Sequence, residues 1–203
     1  MKGSKITAGT YYVFFACFLS GVCKKNIMKK ILGWALAITV VIAGACDDDD
    51  NGSTSLEQKD QDFVLKASEA NLAEIELGEL AATKSTTPSV KAFGEMMVAE
   101  HQVAFDELDS IAGEKNAPMT RELNAEHEQI KAALTGMVGY SFDSAYMQSQ
   151  IKDHEKAIAL FEDQSTTGID PDVTAYAAKY LPGIEMHHHK ADSIFMTLEQ
   201  DPE

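Results

Sequence analysis

Cysteine is nearly absent from the chain. The three copies are Cys17, Cys23 and Cys46, so residues 47–203 contain none. That part of the protein therefore has no disulfide, no thiol nucleophile and no cysteine-based metal site. Tryptophan is rarer still, with one copy at Trp34.

Basic residues are scarce beyond the first 45 positions. Residues 1–45 hold six Lys and no Asp or Glu, whereas residues 46–203 hold 11 Lys and Arg against 32 Asp and Glu, a net charge of −21. Binding to phosphate needs clustered Lys and Arg. We therefore exclude a nucleic-acid partner and expect an acidic, soluble and self-repelling surface.

The motifs of common enzyme classes are missing as well. The sequence holds no pattern of a Ser-His-Asp site, a P-loop, a dinucleotide-binding loop or an HExxH zinc helix. An enzyme built on this chain would have to depend on a metal. A binding protein is the better interpretation than an enzyme.

A short apolar run dominates the early part of the chain. Lys29 and Lys30 precede residues 31–45, ILGWALAITVVIAGA, which are too few for the ~20 residues of a membrane-spanning helix. A positive segment, a short apolar core and small residues at its end indicate a secretory signal. The run ends in Ala-Gly-Ala before Cys46, which resembles a bacterial lipobox, a signal in which the cysteine is lipidated.

These features predict the organisation of the first 57 residues. We predict a lipoprotein signal peptide over residues 28–45, lipidation at Cys46, and an over-extended start over residues 1–27. Residues 46–57 predict an acidic flexible tether. As an alternative, a second apolar run over residues 11–22 would make this part a two-segment membrane anchor.

The acidic tether bears on location. Four aspartates follow Cys46 directly, which resembles the surface-export signal of Bacteroidetes lipoproteins; a plain periplasmic spacer is the alternative. We expect a cell-envelope protein held on the outer membrane by a lipid, either periplasmic or surface-exposed.

From Leu56 onward, apolar residues recur in steps of three and four, which is typical of helices that face a core. No window alternates with period two for long enough to predict a strand. Pro and Gly mark the breaks, and they predict helices over residues 59–84, 89–115, 120–138, 141–165 and 171–200, the third starting at Thr120 as N-cap. Pro182 and Gly183 predict a kink or a short loop in the last helix. The sequence thus predicts an all-α bundle over residues 58–200, with four long helices and one shorter helix.

Each apolar stripe carries one polar group. Four stripes hold a histidine and the first holds a glutamate: Glu74, His101, His127, His154 and His187. A buried carboxylate without a partner costs several kcal/mol or takes up a proton. A metal ion would relieve that cost, and imidazole with carboxylate suits zinc, iron or copper. Glu185 and His188 add one Glu-x-x-His pair, the pattern of di-metal bundles.

The same pattern has a metal-free interpretation. A single core histidine is usually a hydrogen-bonded core residue, and these groups would not meet if they lay at different depths along the bundle. The inward histidines and Glu74 would then form a satisfied polar layer in a structural or binding module.

Several runs together resemble a known bacterial family, the domain-of-unknown-function family 4142. They are residues 73–81, residues 90–101, Phe142 to Met147, Asp153-His154-Glu155, and Leu181-Pro182 followed by His187, and they span about residues 58–198. The resemblance implies a ferritin-like up-down helix bundle, secreted or membrane-anchored, without implying an activity. It places the recurring polar positions at Glu74, Glu76, His101, His154 and His187. True ferritins carry Glu-x-x-His on two helices and only Glu185/His188 fits here, so the resemblance does not imply a di-iron oxidase.

Two functions therefore follow as expectations. The first is an envelope lipoprotein that binds a transition-metal ion through Glu74, His101, His154 and His187, in metal handling or stress defence. The second is the metal-free envelope module. The sequence identifies no protein partner, and a homo-oligomer is compatible with either function.

Overall fold

The computed structural model describes residues 55–200. The predictions for the over-extended start, the signal peptide, Cys46 and nearly all of the tether lie outside the described residues. Leu56, which the sequence analysis placed in the tether, is buried against the core. The described residues form five helices: α1 (Gln58–Lys84), α2 (Pro88–Lys115), α3 (Ala125–Thr135), α4 (Tyr140–Thr167) and α5 (Pro171–Gln200).

The first hairpin joins α1 to α2 through three residues. Pro88 occupies the first turn of α2, where its missing N–H costs nothing. Gly78 and Gly94 let the two helices touch, because a Cβ added to Gly94 would lie 2.7 Å from the carbonyl oxygen of Gly78. The two helices consequently pack with their backbones in contact in the part of the hairpin nearer its loop.

Contacts at the two ends show the direction of each helix. At one end, Lys115 closes α2 with an ion pair of 2.9 Å to Asp170, just before α5 begins. At the other end, Thr87 donates a hydrogen bond of 2.6 Å to Asp143 in the first turn of α4. Residues 116–139, including α3, must therefore run back along the bundle. A single lengthwise connection of this kind is what ferritin-like bundles share.

The predicted all-α up-down bundle is confirmed in this arrangement. The chain order of directions is up, down, down, up, yet up and down helices alternate around the bundle, because α1 packs on α2 and α4, and α5 packs on α4 and α2. None of the described helices is both long and apolar enough to cross a membrane.

The core consists of two apolar clusters with a polar layer between them. One cluster contains Phe93, Met97 and Phe142, and the other contains Phe63, Leu108 and Phe161. Each of the four long helices has buried polar residues at the positions between its contributions to the two clusters. They are Asn71, Glu74, His101, Gln150, His154 and His187. The fold thus sets six polar side chains at one height in an otherwise apolar interior.

The predicted start of the third helix is wrong, and so is the short loop that was one of the two expectations at Pro182. The third helix begins at Ala125 and not near Thr120, because Asn124 is the N-cap and accepts a hydrogen bond of 2.9 Å from the backbone N–H of His127. Thr120 caps only a local turn, where its hydroxyl accepts from the N–H of Glu122. No loop occurs at Pro182, which lies inside an unbroken α5. Apolar contacts on both sides of this proline, at Ala177 and Ile184, hold the helix together.

Candidate metal centre

Three histidines meet in the polar layer. His101 comes from α2, His154 from α4 and His187 from α5, and all three are buried. One ring nitrogen from each lies within 4.8 Å of those of the other two. The ring centroids form a nearly equilateral triangle, with separations of 5.9 Å, 5.4 Å and 5.5 Å. The convergence needs three helices at the same depth, which the heptad pattern alone does not guarantee.

A hydrogen-bond chain orients His101. Its Nδ1 lies 2.8 Å from Oδ1 of Asn71. The Asn71 amide donates to the hydroxyl of Tyr176, and that hydroxyl donates to the carbonyl of Ala104. Since the amide nitrogen of Asn71 is engaged with Tyr176, its oxygen faces His101, and the Nδ1–H of His101 must donate to it. The Nε2 atom is then the one with a lone pair.

The other two rings follow the same rule. The Nδ1–H of His154 donates to the backbone carbonyl of Gln150 at 2.8 Å. The Nε2–H of His187 donates to the carboxylate of Glu100 at 3.0 Å. The opposite nitrogens, which are Nε2 of His101 and His154 and Nδ1 of His187, are buried and have no hydrogen-bond partner among the described residues. Histidines that bind metals are typically held in this way, with one N–H given to an oxygen and the other nitrogen left for the ion.

Burial keeps the three rings neutral. It lowers the pKa of His101 well below its usual range, helped by the two neighbouring histidines. Burial also lowers the pKa of His154 to about 4 and lowers the pKa of His187, despite the opposing effect of Glu100. Neutral imidazole is the form that coordinates a metal, so near neutral pH the site would bind an ion without first losing protons.

Glu74 lies beside the three histidines without joining them. Its Oε1 is 3.6 Å from Nδ1 of His154, on the side of the ring that faces Gln150. Its Oε2 is buried and has no hydrogen-bond partner among the described residues. Burial, with the nearby charge of Asp153, raises the pKa of Glu74 to about 8. The structure therefore groups three of the four principal candidates and sets the fourth behind one of them.

The remaining candidates lie apart from this group. Glu76 forms an ion pair with Lys131. His127 is buried near Asp153, with its Nε2 3.6 Å from the Asp153 carboxylate. His188 is half-buried, and its Nε2 lies 3.7 Å from Glu155. Glu185, the other half of the Glu-x-x-His pair, is not in the three-residue group either.

Two polar residues of this layer, Asn71 and Gln150, are not among the residues predicted from the sequence. Each lies on the same helix face as an inward polar group, Asn71 three residues before Glu74 and Gln150 four residues before His154. Residues three and four apart share a helix face, and a polar residue at that spacing from an inward polar group is the signal that would have found them. The side-chain nitrogen and oxygen of Gln150 are buried without a hydrogen-bond partner among the described residues.

The donor set fits a transition-metal ion. Imidazole is a ligand for zinc, copper and iron. With bonds of ~2.1 Å, two nitrogens on one tetrahedral ion lie roughly 3.4 Å apart. The spacing here, up to 4.8 Å, is wider than that, so the rings must draw together when they take up an ion.

Comparison with known proteins agrees with this fold. The family model described as "Domain of unknown function (DUF4142)" matches residues 47–194. The chain is also similar to the crystal structure of a DUF305 fragment from Deinococcus radiodurans, with a TM-score of 0.64 and 13% identity, over 71% of this chain and 99% of that one. At that identity the likeness concerns the fold alone. Among curated proteins none matches. Because the family model spans most of the chain, the resemblance noted in the sequence is confirmed, and the protein belongs to the DUF4142 family.

Proposed function

We propose that this protein binds a single transition-metal ion through His101, His154 and His187. The observation that carries the proposal is the pattern of ring nitrogens. Each imidazole gives one N–H to an oxygen and keeps the other nitrogen buried without a hydrogen-bond partner among the described residues, and the three rings face one another. An unpaired buried polar atom costs roughly 1–3 kcal/mol. Three such atoms, on three rings whose centroids lie within 5.9 Å of one another, are explained by a shared cation.

The metal-free alternative finds less support. A satisfied polar layer would use both nitrogens of each ring inside the protein. Here Glu74, His101 and His154 each keep a buried polar atom without a hydrogen-bond partner among the described residues. The charge of the body, net −21 over residues 46–203, also favours attraction of a cation.

The proposal extends to location and role. The basic, apolar and lipobox-like order before Cys46 supports a lipid anchor in the cell envelope. A buried three-histidine site on such an anchored bundle suits capture or storage of iron, zinc or copper, in metal handling or stress defence. Intact mass of the protein recovered from the membrane fraction tests the anchor, since the lipidated form begins at Cys46 and is heavier than the bare chain.

The chain supplies its own control for the metal site. Of the six histidines, three form the group and three, His127, His188 and His189, lie outside it. We would prepare residues 47–203 without an affinity tag and compare two triple alanine variants, one for each set. Each protein is stripped with a chelator, offered iron, zinc and copper in turn, and measured by elemental mass spectrometry.

We expect about one ion per chain in the wild type and in the variant that lacks the outer three histidines. The variant without His101, His154 and His187 should hold none above background. Wild-type protein that takes up no metal would overturn the proposal. So would a result in which only the variant without His127, His188 and His189 loses its metal. Circular dichroism confirms that each variant is folded before it is counted.

A further inference from the structure

A cavity of about 340 Å³ reaches the three-histidine site from the surface. Its rim carries the exposed residues Lys66, Glu126 and Lys156. Its inner part is lined by His101, His154 and Glu74, which are buried. Two of the three imidazoles are therefore in contact with a space that a molecule can enter from solvent.

The walls of this cavity differ in chemistry. Part of the lining is apolar, and it consists of Ala70, Ala157, Leu160, Phe161 and Ile184. The polar part includes His127 and Asp153. Nδ1 of His127 is buried and lacks a hydrogen-bond partner among the described residues, while Oδ2 of Asp153 lies 3.6 Å from Nε2 of His127. Pockets for small organic molecules have this composition, with an apolar surface and a few polar groups that fix orientation.

An ion held by the three histidines would lie beside this space, because His101 and His154 line it. Three histidines supply three donors, and zinc sites with three protein ligands keep a fourth position for water or a substrate. Glu74 does not fill that position in the arrangement described here, because it approaches the hydrogen-bonded Nδ1 side of His154. The fourth position is thus left to a donor from outside the protein, and the cavity is the space beside two of the ligands.

We propose that the metal-loaded protein binds a small organic molecule in this cavity. One nitrogen or oxygen of the ligand coordinates the ion, and its apolar part packs against Leu160 and Phe161. The inference rests on the proposed metal site. Since pockets for drug-sized ligands occupy roughly 300–1,000 Å³, a volume of about 340 Å³ suits a molecule of one or two rings, and it is too small for a folded partner.

Cobalt(II) gives this proposal a direct readout, because its visible absorption changes when a new donor coordinates. The cobalt-loaded protein is titrated with imidazole and with 4-phenylimidazole, which share one donor and differ by an apolar ring. We expect both to change the spectrum in a saturable way. 4-Phenylimidazole should bind at least about tenfold more tightly, because its phenyl ring leaves water for the apolar wall.

Two leucine substitutions on α4 form a matched pair. Ala157→Leu places three extra carbons in the cavity, whereas Ala159→Leu adds them at an exposed position two residues away. We expect Ala157→Leu to weaken 4-phenylimidazole at least about tenfold by steric overlap while cobalt affinity stays within about twofold, and Ala159→Leu to change neither.

The outcomes separate this inference from the metal site. A protein that binds cobalt but gives no spectral response to either imidazole overturns the cavity proposal alone. Equal affinity for the two ligands, unaffected by Ala157→Leu, overturns it as well, because the wall would then play no part. Failure to bind cobalt overturns both proposals. Elemental analysis after the titration confirms that the ligands have not stripped the metal.

Discussion

Two buried acidic residues on α1 differ in how their oxygens are used. Asp60 is fully buried, and its carboxylate accepts three hydrogen bonds, from the amide of Gln164 and from the backbone N–H groups of Ile169 and Asp170. Glu74 is buried in the central layer, and one of its oxygens has no hydrogen-bond partner among the described residues. The same contrast separates the polar groups that support the fold from those that we propose to bind a metal. A buried polar group whose bonds are complete supports the fold, whereas a cluster of buried polar atoms with incomplete bonds is arranged for something else.

The physical reason lies in which hydrogen-bonding atoms each group satisfies. At Asp60 the carboxylate satisfies two backbone N–H groups that the α4–α5 connection would otherwise bury without partners. At the central layer each histidine has one nitrogen satisfied and one open. Four predictions test this difference, beginning with the largest effect.

Replacing Asp60 with alanine should destabilise the fold and leave the metal site intact. It removes the acceptor of three hydrogen bonds, one of them buried and two partly buried. Bonds to a charged group contribute roughly 1.5–3 kcal/mol each, so we expect a loss of about 4 kcal/mol in the free energy of unfolding. Urea titration followed by circular dichroism measures it. Asp62→Ala is the control, because Asp62 is exposed and, among the described residues, pairs only with Gln58; its loss should stay under about 0.5 kcal/mol. Similar values for the two variants would mean that Asp60 has no special role.

Replacing His154 with alanine should abolish most of the metal affinity. Structural zinc sites contribute roughly 10–16 kcal/mol with about four ligands, so one ligand is equivalent to about 3 kcal/mol, or at least about 100-fold in metal affinity. Truncating a fully buried ring also leaves a cavity and lowers the stability of the metal-free protein, so affinity is measured after circular dichroism shows that the variant is folded. Competition with a chromophoric chelator gives the affinity. His189→Ala, at an exposed position, should retain wild-type affinity. Retention of full affinity by His154→Ala would remove this residue from the site.

The sequence predicted much of this layer, and the limits of the prediction are physical. Spacing alone identified Glu74, His101, His154 and His187 as inward, because a helix with period 3.6 leaves few other orientations. Spacing does not fix how far along its axis each helix is shifted against its neighbours. That shift is set by contacts such as Gly78 against Gly94 between α1 and α2, and it decides whether Glu74 meets the histidine group. His127, on the separate helix α3, lies outside the group. The sequence does not predict the role of Asn71, because asparagine disfavours helix interiors and its place here depends on tertiary partners. His101 and Tyr176 engage the two ends of its amide.

The pH dependence of stability should distinguish Glu74 from an ordinary surface carboxylate. The pKa of Glu74 is about 8 in the folded protein, against its ordinary value of 4.5 in the unfolded chain. Between these two pH values the folded state holds a proton that the unfolded state releases. Raising the pH then favours unfolding by about 1.4 kcal/mol per unit. The buried histidines oppose this by roughly 0.4 kcal/mol each between pH 6.5 and pH 8, because about half of their imidazoles are still protonated in the unfolded state at pH 6.5. A comparison with a variant that lacks only the Glu74 carboxyl group cancels their contribution.

We therefore expect the wild type to lose about 2 kcal/mol relative to Glu74→Gln between pH 6.5 and pH 8, both without metal. Glu74→Gln keeps the shape and removes only the titration of the carboxyl group, so the contribution of the histidines is the same in both proteins. Chemical denaturation at several pH values, with chelator present, measures both proteins. If the difference between the two does not fall over this interval, the carboxyl group is ionised in the folded state and the comparison with Asp60 fails.

The smallest expected effect concerns the hydrogen-bond partners of the histidines. It tests whether these partners position the imidazole rings for metal binding. Asn71→Ala removes the acceptor that fixes which nitrogen of His101 carries the proton. Loss of such a partner typically lowers metal affinity 10- to 100-fold, and we expect about tenfold because two histidines keep theirs. Tyr176→Phe is the comparison, since it breaks the bonds to Asn71 and Ala104 but leaves the acceptor of Asn71 in place, without the bond that orients its amide. Both substitutions remove hydrogen bonds from the same buried chain, so both should lower stability by similar amounts. Asn71→Ala should weaken metal binding more than Tyr176→Phe does, and equal losses of affinity in the two variants would show that the acceptor on Asn71 does not position His101.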